Sequence, residues 1–389
     1  MAATYLNINH DTTLQRRVVS KYISLLEPTE VPLLQKLGLD TNPLQLDTPI
    51  VTGRKFEWHE DTLPSLVDAL NGAILVGATT MVVDDATKFH VGHILEIESE
   101  YVNVTAVDTT AQTLTVSRAW GGTSAAAHAD NTVVTARGIA KMQMANYSLG
   151  ALTTTSNLYN YPQIIEEGFQ YNKAFDDSAK NDYGVSSYAD YHMGKLIGGP
   201  SQIGAKGRAG ILAIALAKIA YYGKRQEPTG ITVAAGAGGM AHFITTNLTG
   251  DTSTPLSRTS IETQAAAIYD AGGMPDLLVV GTAAKRRISA WADGYIRTTR
   301  GETTIGNAIS VIDTPVVEGI QIMVDRFCPS TKAYLLDTTR LGYVTVRPFE
   351  VYDMPTFSPD VVAKSVLGEY SFWVCNEEAH AIITHDGTA

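Results

Sequence analysis

Cysteine and long apolar runs are scarce in this sequence. Cys328 and Cys375 are its two cysteines among 389 residues, and nothing in their spacing specifies a disulfide. We expect both to act as small buried hydrophobic side chains. No apolar run approaches the ~20 residues that span a bilayer, and no apolar signal segment opens the chain. These absences favour a soluble, cytoplasmic protein without a membrane partner.

Charge is also scarce, and basic charge more so than acidic charge. Charged residues make up 18% of the chain, and 29 Lys and Arg against 40 Asp and Glu leave a net charge of −11. Nonspecific binding to nucleic acid needs clustered basic residues that displace counterions, so this balance argues against it. The low charge content is typical of a protein that hides much of its surface in contacts with copies of itself.

Motifs of catalysis and cofactor binding are missing or incomplete. Residues 236–241, Gly-Ala-Gly-Gly-Met-Ala, match the Gly-x-Gly-x-x-Ala dinucleotide fingerprint. Turn residues follow, however, where a helix should open onto the pyrophosphate, so we interpret the segment as a flexible glycine-rich loop. No P-loop and no Gly-x-Ser-x-Gly elbow occur. The sequence therefore predicts no catalytic residue and no cofactor.

A group of histidines and acids could be mistaken for a metal site. His90 and His93 lie close in sequence to Glu96 and Glu98. If the two histidines share a strand, they fall on opposite faces of it. No cysteine or third histidine is near, so we expect surface histidines and no bound metal.

The most informative stretch covers residues 272–291. Its apolar, β-branched run Leu277–Val280 is bounded by a proline and a glycine, which predicts a buried central strand. Thr282 is expected to cap the helix that follows. Ile288 and Trp291 are placed to form the inward face of that helix. The stretch therefore predicts a turn, a strand and a helix.

Three segments carry a resemblance to a known family. A helix over 257–271, a Gly-Gly-x-Pro-Asp turn at 272–276, the strand and a basic helix together resemble the A-domain of tailed-bacteriophage major capsid proteins. Residues 160–164, Asn-Tyr-Pro-Gln-Ile, are similar to the segment that leads into the long spine helix of one group of these proteins. Residues 368–380 resemble their closing strand. The resemblance implies an α+β architecture, the Hong Kong 97-type phage capsid fold.

The resemblance also implies how the chain is divided into domains. One of the parts, an insertion, is predicted from composition instead. The expected parts are an N-terminal arm (1–49), an extended E-loop hairpin (50–62 and 131–150), an inserted small β-barrel or sandwich (63–130), a peripheral P-domain (151–240 and 346–389) and an axial A-domain (241–345).

Two strands frame the predicted hairpin. The strand over 51–60 alternates polar residues with Phe56 and Trp58, and we expect it to pair with a strand over 132–144. Between them, the insert is rich in Val, Thr, Ala and Gly, and its short strands alternate with turns, as in a small barrel or sandwich. Its strands are expected over 80–83, 93–97, 101–104 and 113–116.

A long helix is predicted from Ser186 or Ser187 to about Gln226, where the resemblance places the P-domain spine helix. The Gly-Gly-Pro sequence at 198–200 must kink or break it. Helical spacing in the second half predicts one apolar stripe, formed by Ile211, Ile214, Ala215, Ile219 and Tyr222.

The resemblance implies a structural role rather than an enzymatic one. Many copies would assemble as hexamers and pentamers into the icosahedral shell of a virion, built in the host bacterial cytoplasm around double-stranded DNA that is bound without sequence specificity. Separate scaffolding, portal and cement or decoration proteins are expected partners. The insert is expected to stand on the outer surface and to brace neighbouring subunits.

Four residues are the expected inter-subunit contacts. Phe56 and Trp58 lie on the predicted E-loop hairpin, and Arg297 and Arg300 lie in a polar stretch over 293–304 that we expect to be an A-domain loop.

Three other functions remain open on sequence grounds. An encapsulin-like compartment would share the fold but enclose an enzyme. A phage tail or baseplate protein could use the insert to bind host carbohydrate, although the long helix and the block around residue 275 favour a shell. An enzyme is disfavoured because no convergent catalytic set is present.

Overall fold

A computed structural model describes residues 30–37, 53–61, 66–141, 155–173, 195–200, 207–291, 310–356 and 358–388. The chain divides into a small unit, His59–Asn157, and a large unit formed by the residues on both sides of it. Residues 195–197 are helical. The other helices of the described residues are α1 (Pro32–Lys36), α2 (Ile211–Tyr222), α3 (Met240–Phe243), α4 (Arg258–Asp270) and α5 (Thr282–Ala290).

Strands outnumber helices in the described residues. They are β1 (Phe56–Glu60), β2 (Val67–Ala69), β3 (Thr80–Val82), β4 (His93–Ile97), β5 (Glu100–Asp108), β6 (Thr113–Ser117), β7 (Val133–Ile139), β8 (Ser156–Asn160), β9 (Gln163–Asn172), β10 (Gly198–Pro200), β11 (Gly207–Ala209), β12 (Leu248–Gly250), β13 (Leu277–Val280), β14 (Val311–Ile312), β15 (Ile320–Val324), β16 (Lys332–Leu336), β17 (Leu341–Asp353), β18 (Val361–Val374) and β19 (Ala381–Thr384).

The small unit is built on one sheet with the strand order β2-β7-β4-β5-β6-β3, in which every neighbouring pair is antiparallel. An isolated bridge between Leu70 and Val83 connects the two edge strands at their ends. Alternate residues of the strands turn inward, as in β4, where Leu95 and Ile97 are buried. They form a separate apolar core with residues of the other strands. The strands predicted at 80–83, 93–97, 101–104 and 113–116 are all present.

The strand predicted to return the E-loop hairpin is part of this sheet instead. β7 pairs with β2 and β4, and Val134 lies in the core of the small unit. β1, for which β7 was the expected partner, pairs with β8. The expected insert limit at residue 130 is therefore wrong. The alternation of β7 predicts a strand, but alternation does not determine which strand it joins.

The large unit contains a mixed sheet with the order β12-β19-β16-β13-β15-β14. β13, the predicted central strand, runs parallel to β15 and antiparallel to β16. All four of its residues are buried because the sheet is covered on both faces. Leu278 and Val280 pack with α4 and α5, whereas Leu277 and Val279 share a core with α2.

The helices on either side of β13 follow the prediction closely. α4 is capped by Ser257, whose hydroxyl oxygen accepts a hydrogen bond from the backbone of Ser260. α5 begins at Thr282, but its N-cap residue is Gly281, so the predicted capping role of Thr282 is wrong. In the turn between the helix and the strand, the Asp276 carboxylate accepts hydrogen bonds from the backbone and the hydroxyl of Thr338.

A second sheet of the large unit has the order β17-β18-β9, with all pairs antiparallel. The predicted limit between residues 345 and 346 falls inside β17. β19, which the prediction placed in the P-domain, lies in the mixed sheet between β12 and β16. Its consecutive residues Ala381–Ile383 are all buried. Because neighbouring residues of a strand point to opposite faces, other parts of the protein must pack against both faces of this strand.

The long helix predicted to end near Gln226 is shorter in the described residues. The Gly-Gly-Pro sequence forms β10, which pairs antiparallel with β11, and α2 begins only at Ile211. The break is thus confirmed, and two short paired strands take its place. The predicted beginning of the helix, before residue 195, lies outside the described residues. The predicted apolar stripe is wrong at Ile211 and Tyr222, which are exposed. Ile219 is buried, and Ile214 and Ala215 are partly buried against the same core. The most deeply buried face instead carries Leu212 and Leu216.

Candidate functional site

The predicted contact strand β1 carries a small aromatic cluster. The Phe56 and Trp58 rings stack with their centroids 5.7 Å apart, and Trp58 meets the Phe243 ring edge-on at 5.5 Å. Both β1 aromatics are half-buried. Such offset and edge-on pairs favour a fixed geometry. The cluster therefore holds these two side chains against their own chain while leaving part of each exposed.

Two cations flank an aromatic ring next to this cluster. The Lys55 ammonium lies 4.0 Å from the centroid of the Tyr159 ring, and the Arg225 guanidinium lies 4.3 Å from it. Arg225 also donates a hydrogen bond of 3.1 Å to the Tyr159 carbonyl. The hydrogen bond that Lys55 donates to Glu57 raises the pKa of Lys55. The two side chains therefore lie where the ring quadrupole attracts positive charge.

Asn160 ties this region to the glycine-rich segment. Its side-chain amide is fully buried and donates to the carbonyls of Gly238, at 2.9 Å, and Phe372, at 2.5 Å. Its carbonyl oxygen accepts from the backbone N–H groups of Gly238, at 2.8 Å, and Tyr161, at 2.9 Å. The hydrogen-bonding capacity of the amide is met by four backbone groups, as a buried amide requires.

The glycines of residues 236–241 serve close packing. A Cβ on Gly238 would lie 2.8 Å from the His242 ring, and one on Gly239 would lie 2.5 Å from the Ala220 carbonyl oxygen. The backbone therefore lies directly against the end of α2, which only glycine allows. The interpretation as a flexible loop is wrong. The helix that follows, α3, is four residues long.

A buried ion pair lies at one end of the small-unit sheet. The Glu100 carboxylate is inaccessible to solvent and pairs with the Arg118 guanidinium through two hydrogen bonds of 2.7 Å. It also accepts from the backbone of Ala119 and Ala126 and lies 3.0 Å from His128 Nε2. Burial alone would raise the pKa of Glu100, but these partners outweigh it and lower the pKa to about 2.

The two histidines expected on opposite faces lie together. Their ring centroids are 3.6 Å apart, because His90 precedes a turn and only His93 belongs to β4. His93 is buried, so the expectation of a surface position is wrong for it. Burial, followed by the neighbouring His90, lowers the pKa of His93 to about 4. Across the described ranges, no group of three or more potential metal ligands occurs.

The four predicted contact residues are only partly described. Phe56 and Trp58 lie together, as given above. Arg297 and Arg300, with the loop predicted over 293–304, lie outside the described residues. Among the described helices, none has the length and apolar character needed to cross a membrane.

Sequence reasoning missed the network around Glu100 and the role of Asn160. One signal could have found the partner of Glu100, since Arg118 stands alone among uncharged residues from 109 to 129. Asn160 belongs to a segment that was noted only for its resemblance.

Comparison with known proteins agrees with the fold. The family model described as SU10 major capsid protein matches residues 6–386. A chain of the cyanophage A-1(L) capsid asymmetric unit is 13% identical, with 97% of this chain and 99% of that chain covered and a TM-score of 0.55. A structure from Mycobacterium phage Ogopogo is 11% identical, with 98% and 100% covered and a TM-score of 0.49.

The holo-SrpI encapsulin of Synechococcus elongatus is less similar: it is 10% identical, with 61% of this chain and 79% of that chain covered and a TM-score of 0.42. No curated protein matches the chain. The family model spans nearly the whole sequence, and the cyanophage subunit shares its α+β capsid fold. The chain therefore belongs to the SU10 major capsid protein family.

Proposed function

We propose that this major capsid protein assembles as hexamers and pentamers into an icosahedral shell around double-stranded DNA. The observation that carries the proposal is the family match over residues 6–386. A capsid protein is a structural component of the virion rather than an enzyme, and it works by repeating the same contacts through symmetry. The charged content of 18% supports this role, because a subunit that is covered by copies of itself needs little solvated surface.

The proposal includes an assignment of the sheets to the parts of a capsid subunit. We assign the mixed sheet with α4 and α5 to the A-domain, and the sheet of β17, β18 and β9 with α2 to the P-domain. We assign the small unit as a small barrel inserted in the E-loop. Its separate core and the bridge between its edge strands support this assignment. Residues 1–49 are assigned to the N-terminal arm.

The inter-subunit contacts are assigned to Phe56 and Trp58 of the E-loop and to Arg297 and Arg300 of the A-domain. The half-exposed aromatic faces on β1 support the first pair, since aromatic side chains are enriched where protein surfaces meet. The net charge of −11 supports packaging without tight or sequence-specific DNA binding. Assembly in the host cytoplasm with separate scaffolding, portal and cement proteins completes the proposal.

The subunit count of the free assemblies tests the proposal. The purified chain would be concentrated stepwise and measured by native mass spectrometry. We expect species of five and six subunits alongside the monomer, because capsomers of both sizes are needed to close an icosahedral shell. Only dimers, trimers or tetramers, or a monomer at every concentration both alone and with a scaffolding protein of the same phage, would contradict it.

The contents of particles separate this function from an encapsulin-like compartment. Particles from infected cells would be treated with nuclease, opened and extracted. Protected double-stranded DNA is the expected content. A protein cargo without DNA would contradict the packaging proposal while leaving the shell intact.

A further inference from the structure

One end of the small-unit sheet exposes apolar side chains on two loops that contain no charged residue. Two carboxylates lie beside these loops: that of Glu98, which is 60% exposed and contacts His128, and that of Asp130, which accepts a hydrogen bond from the N–H of Gly72 at 2.6 Å. Leu75 is 76% exposed, Val76 54% and Trp120 41%. The two segments that bear them, residues 72–80 and 119–127, contain no Asp, Glu, Lys or Arg. Scattered apolar residues on a surface need no explanation, but uncharged apolar loops that meet at one place indicate an interaction site.

The buried ion pair brings these loops together. Arg118 Nη1 donates to the carbonyls of Leu75, at 3.0 Å, and Ala78, at 3.1 Å, and Nη2 donates to that of Ala126, at 2.5 Å. Trp120 follows Arg118 by two residues. The loop over 75–78 and the loop that begins at Arg118 are therefore each bonded to the same guanidinium.

The carboxylate holds the second loop at two points. Glu100 accepts hydrogen bonds from the N–H groups of Ala119, at 3.1 Å, and Ala126, at 3.0 Å. His128, next to Glu100, forms a bridge with Ile74, immediately before Leu75. The backbone on both sides of the exposed side chains is thus fixed.

Stability alone does not account for this arrangement. A buried ion pair adds little to stability compared with well-packed apolar side chains of similar volume. What Arg118 and Glu100 do here is hold two loops in one conformation. A surface that is ordered before binding loses less entropy when it binds. A partly exposed Trp beside Leu and Val is also the composition of interface hot spots.

The size of this apolar surface points to a copy of the chain as the occupant. Two copies that each carry −11 repel each other across charged surfaces, whereas the side chains of Leu75, Val76 and Trp120 add no charge repulsion of their own. Three side chains cover far less than the ~800 Å² per partner of a stable interface, so this contact cannot hold a dimer by itself. It can contribute where other contacts already hold the copies together, as in a shell.

We propose that the end of the small unit formed by Leu75, Val76 and Trp120 docks onto another copy of this chain in the assembled shell. The docking rests on the proposed function, because only shell assembly supplies neighbouring copies. Glu100 and Arg118 act as positioning residues for this surface.

Ile139 provides a matched control on the same sheet. It is 66% exposed and pairs with His93 at the start of β4, whereas Glu100 pairs with Ile97 at the end of β4. Ile139 therefore lies at the opposite end of the strand. Shells of the unaltered chain, of the double variant Leu75→Ser/Trp120→Ser and of Ile139→Ser would be diluted into mild urea, and subunit release followed by light scattering.

We expect the double variant to release subunits roughly tenfold faster than the unaltered chain, because loss of a contact acts mainly on dissociation. Ile139→Ser and Trp120→Phe should behave like the unaltered chain. Thermal unfolding of the unassembled double variant should be unchanged, since both side chains are exposed.

Equal release rates for the double variant and the controls would overturn the docking while leaving shell assembly intact. Unchanged shells combined with weaker adsorption of variant particles to bacterial cells would also overturn it and assign this end to a host component. If the unaltered chain forms no shell even with its scaffolding protein, the proposed function fails, and the docking fails with it.

Discussion

At the residue scale, two buried polar side chains organise the two units. Asn160 joins β8 to the glycine-rich segment and to β18, and Glu100 joins two loops of the small unit. Each accepts hydrogen bonds from two backbone N–H groups, and Glu100 is also paired with the Arg118 guanidinium. Removing such a side chain leaves buried donors or acceptors unpaired, which costs more than the bond itself contributes.

Asn160→Ala tests the first of these. It leaves the N–H and carbonyl of Gly238 and the carbonyl of Phe372 without their side-chain partner. We expect the free energy of unfolding of the large unit to fall by about 3 kcal/mol, as measured by urea denaturation. Gln170→Ala, which removes an exposed amide from β9, should change it by less than about 0.5 kcal/mol. Equal losses of unfolding free energy in the two variants would show that the buried amide contributes no more to stability than an exposed one.

Glu100→Gln tests the second, and pH supplies a further readout. The variant leaves the Arg118 cation buried without a counter-charge, so we expect the small unit to lose about 3 kcal/mol of local stability. Hydrogen–deuterium exchange of peptides from residues 93–139 in the whole chain would measure it. Asp84→Asn is the control, since Asp84 is an exposed carboxylate of the same unit.

The pH dependence has a definite sign. The pKa of Glu100 falls from 4.5 to about 2 on folding, so the folded state binds the proton less tightly than the unfolded state. Its stabilising effect is complete above pH 4.5 and is lost as the pH falls towards 2. The stability difference between the unaltered chain and Glu100→Gln should shrink over that range. A difference independent of pH would contradict the role of the ionised carboxylate.

The burial of Glu100 could not be predicted from local alternation. Glu96, Glu98 and Glu100 occupy every second position, which in one strand would put all three on one face. β4 ends at Ile97, however, and Glu98 adopts a positive φ of 54° in the turn before β5. The turn resets the alternation, so that Glu100 points into the unit while Glu98 stays exposed.

At the element scale, packing decides which face of an element is buried. α2 is apolar on nearly all sides, so helical periodicity alone offers more than one stripe. The face with Leu212 and Leu216 is buried because it meets the β18 side chains and α1, and Ile211 is left exposed. The strands and helices themselves were predictable from alternation, caps and turn residues. Their partners were not, because pairing joins residues far apart in sequence.

Gly239→Ala tests the close approach between the glycine-rich segment and α2. The added methyl group would lie 2.5 Å from the Ala220 carbonyl oxygen, so either the segment or the helix end must shift. We expect a loss of at least about 2 kcal/mol in the free energy of unfolding, measured by thermal denaturation.

Gly138→Ala is the matched control for this substitution. A Cβ at Gly138 meets nothing within 4 Å, and its φ is not in the left-handed region. It should be neutral or slightly stabilising, since alanine restricts the unfolded chain. If Gly239→Ala were equally harmless, the segment would be loose rather than packed.

At the scale of the whole molecule, the order of helices and strands along the chain is what indicates the capsid fold. The helix α4, the Gly-Gly-x-Pro-Asp turn, the buried strand β13 and the helix α5 follow one another as predicted. The fold class was therefore accessible from sequence. The division into units was harder to predict from sequence, because β7 joins the small unit and β19 joins the mixed sheet. Both misplacements concern strands whose partners are distant in the chain.

The acidic, charge-poor composition fits the same account at this scale. A subunit surrounded by its own copies gains from uncharged contact surfaces, and a wall around DNA gains from weak attraction to it. The central claim is that this chain closes into an icosahedral shell.

Cryo-electron microscopy of particles formed by the chain tests that claim most directly. The account predicts closed shells with five-fold vertices between six-fold capsomers, in which each subunit density holds the mixed sheet and the sheet of β17, β18 and β9. Tubes with helical symmetry and no five-fold vertices, or particles in which this chain does not form the wall, would contradict it.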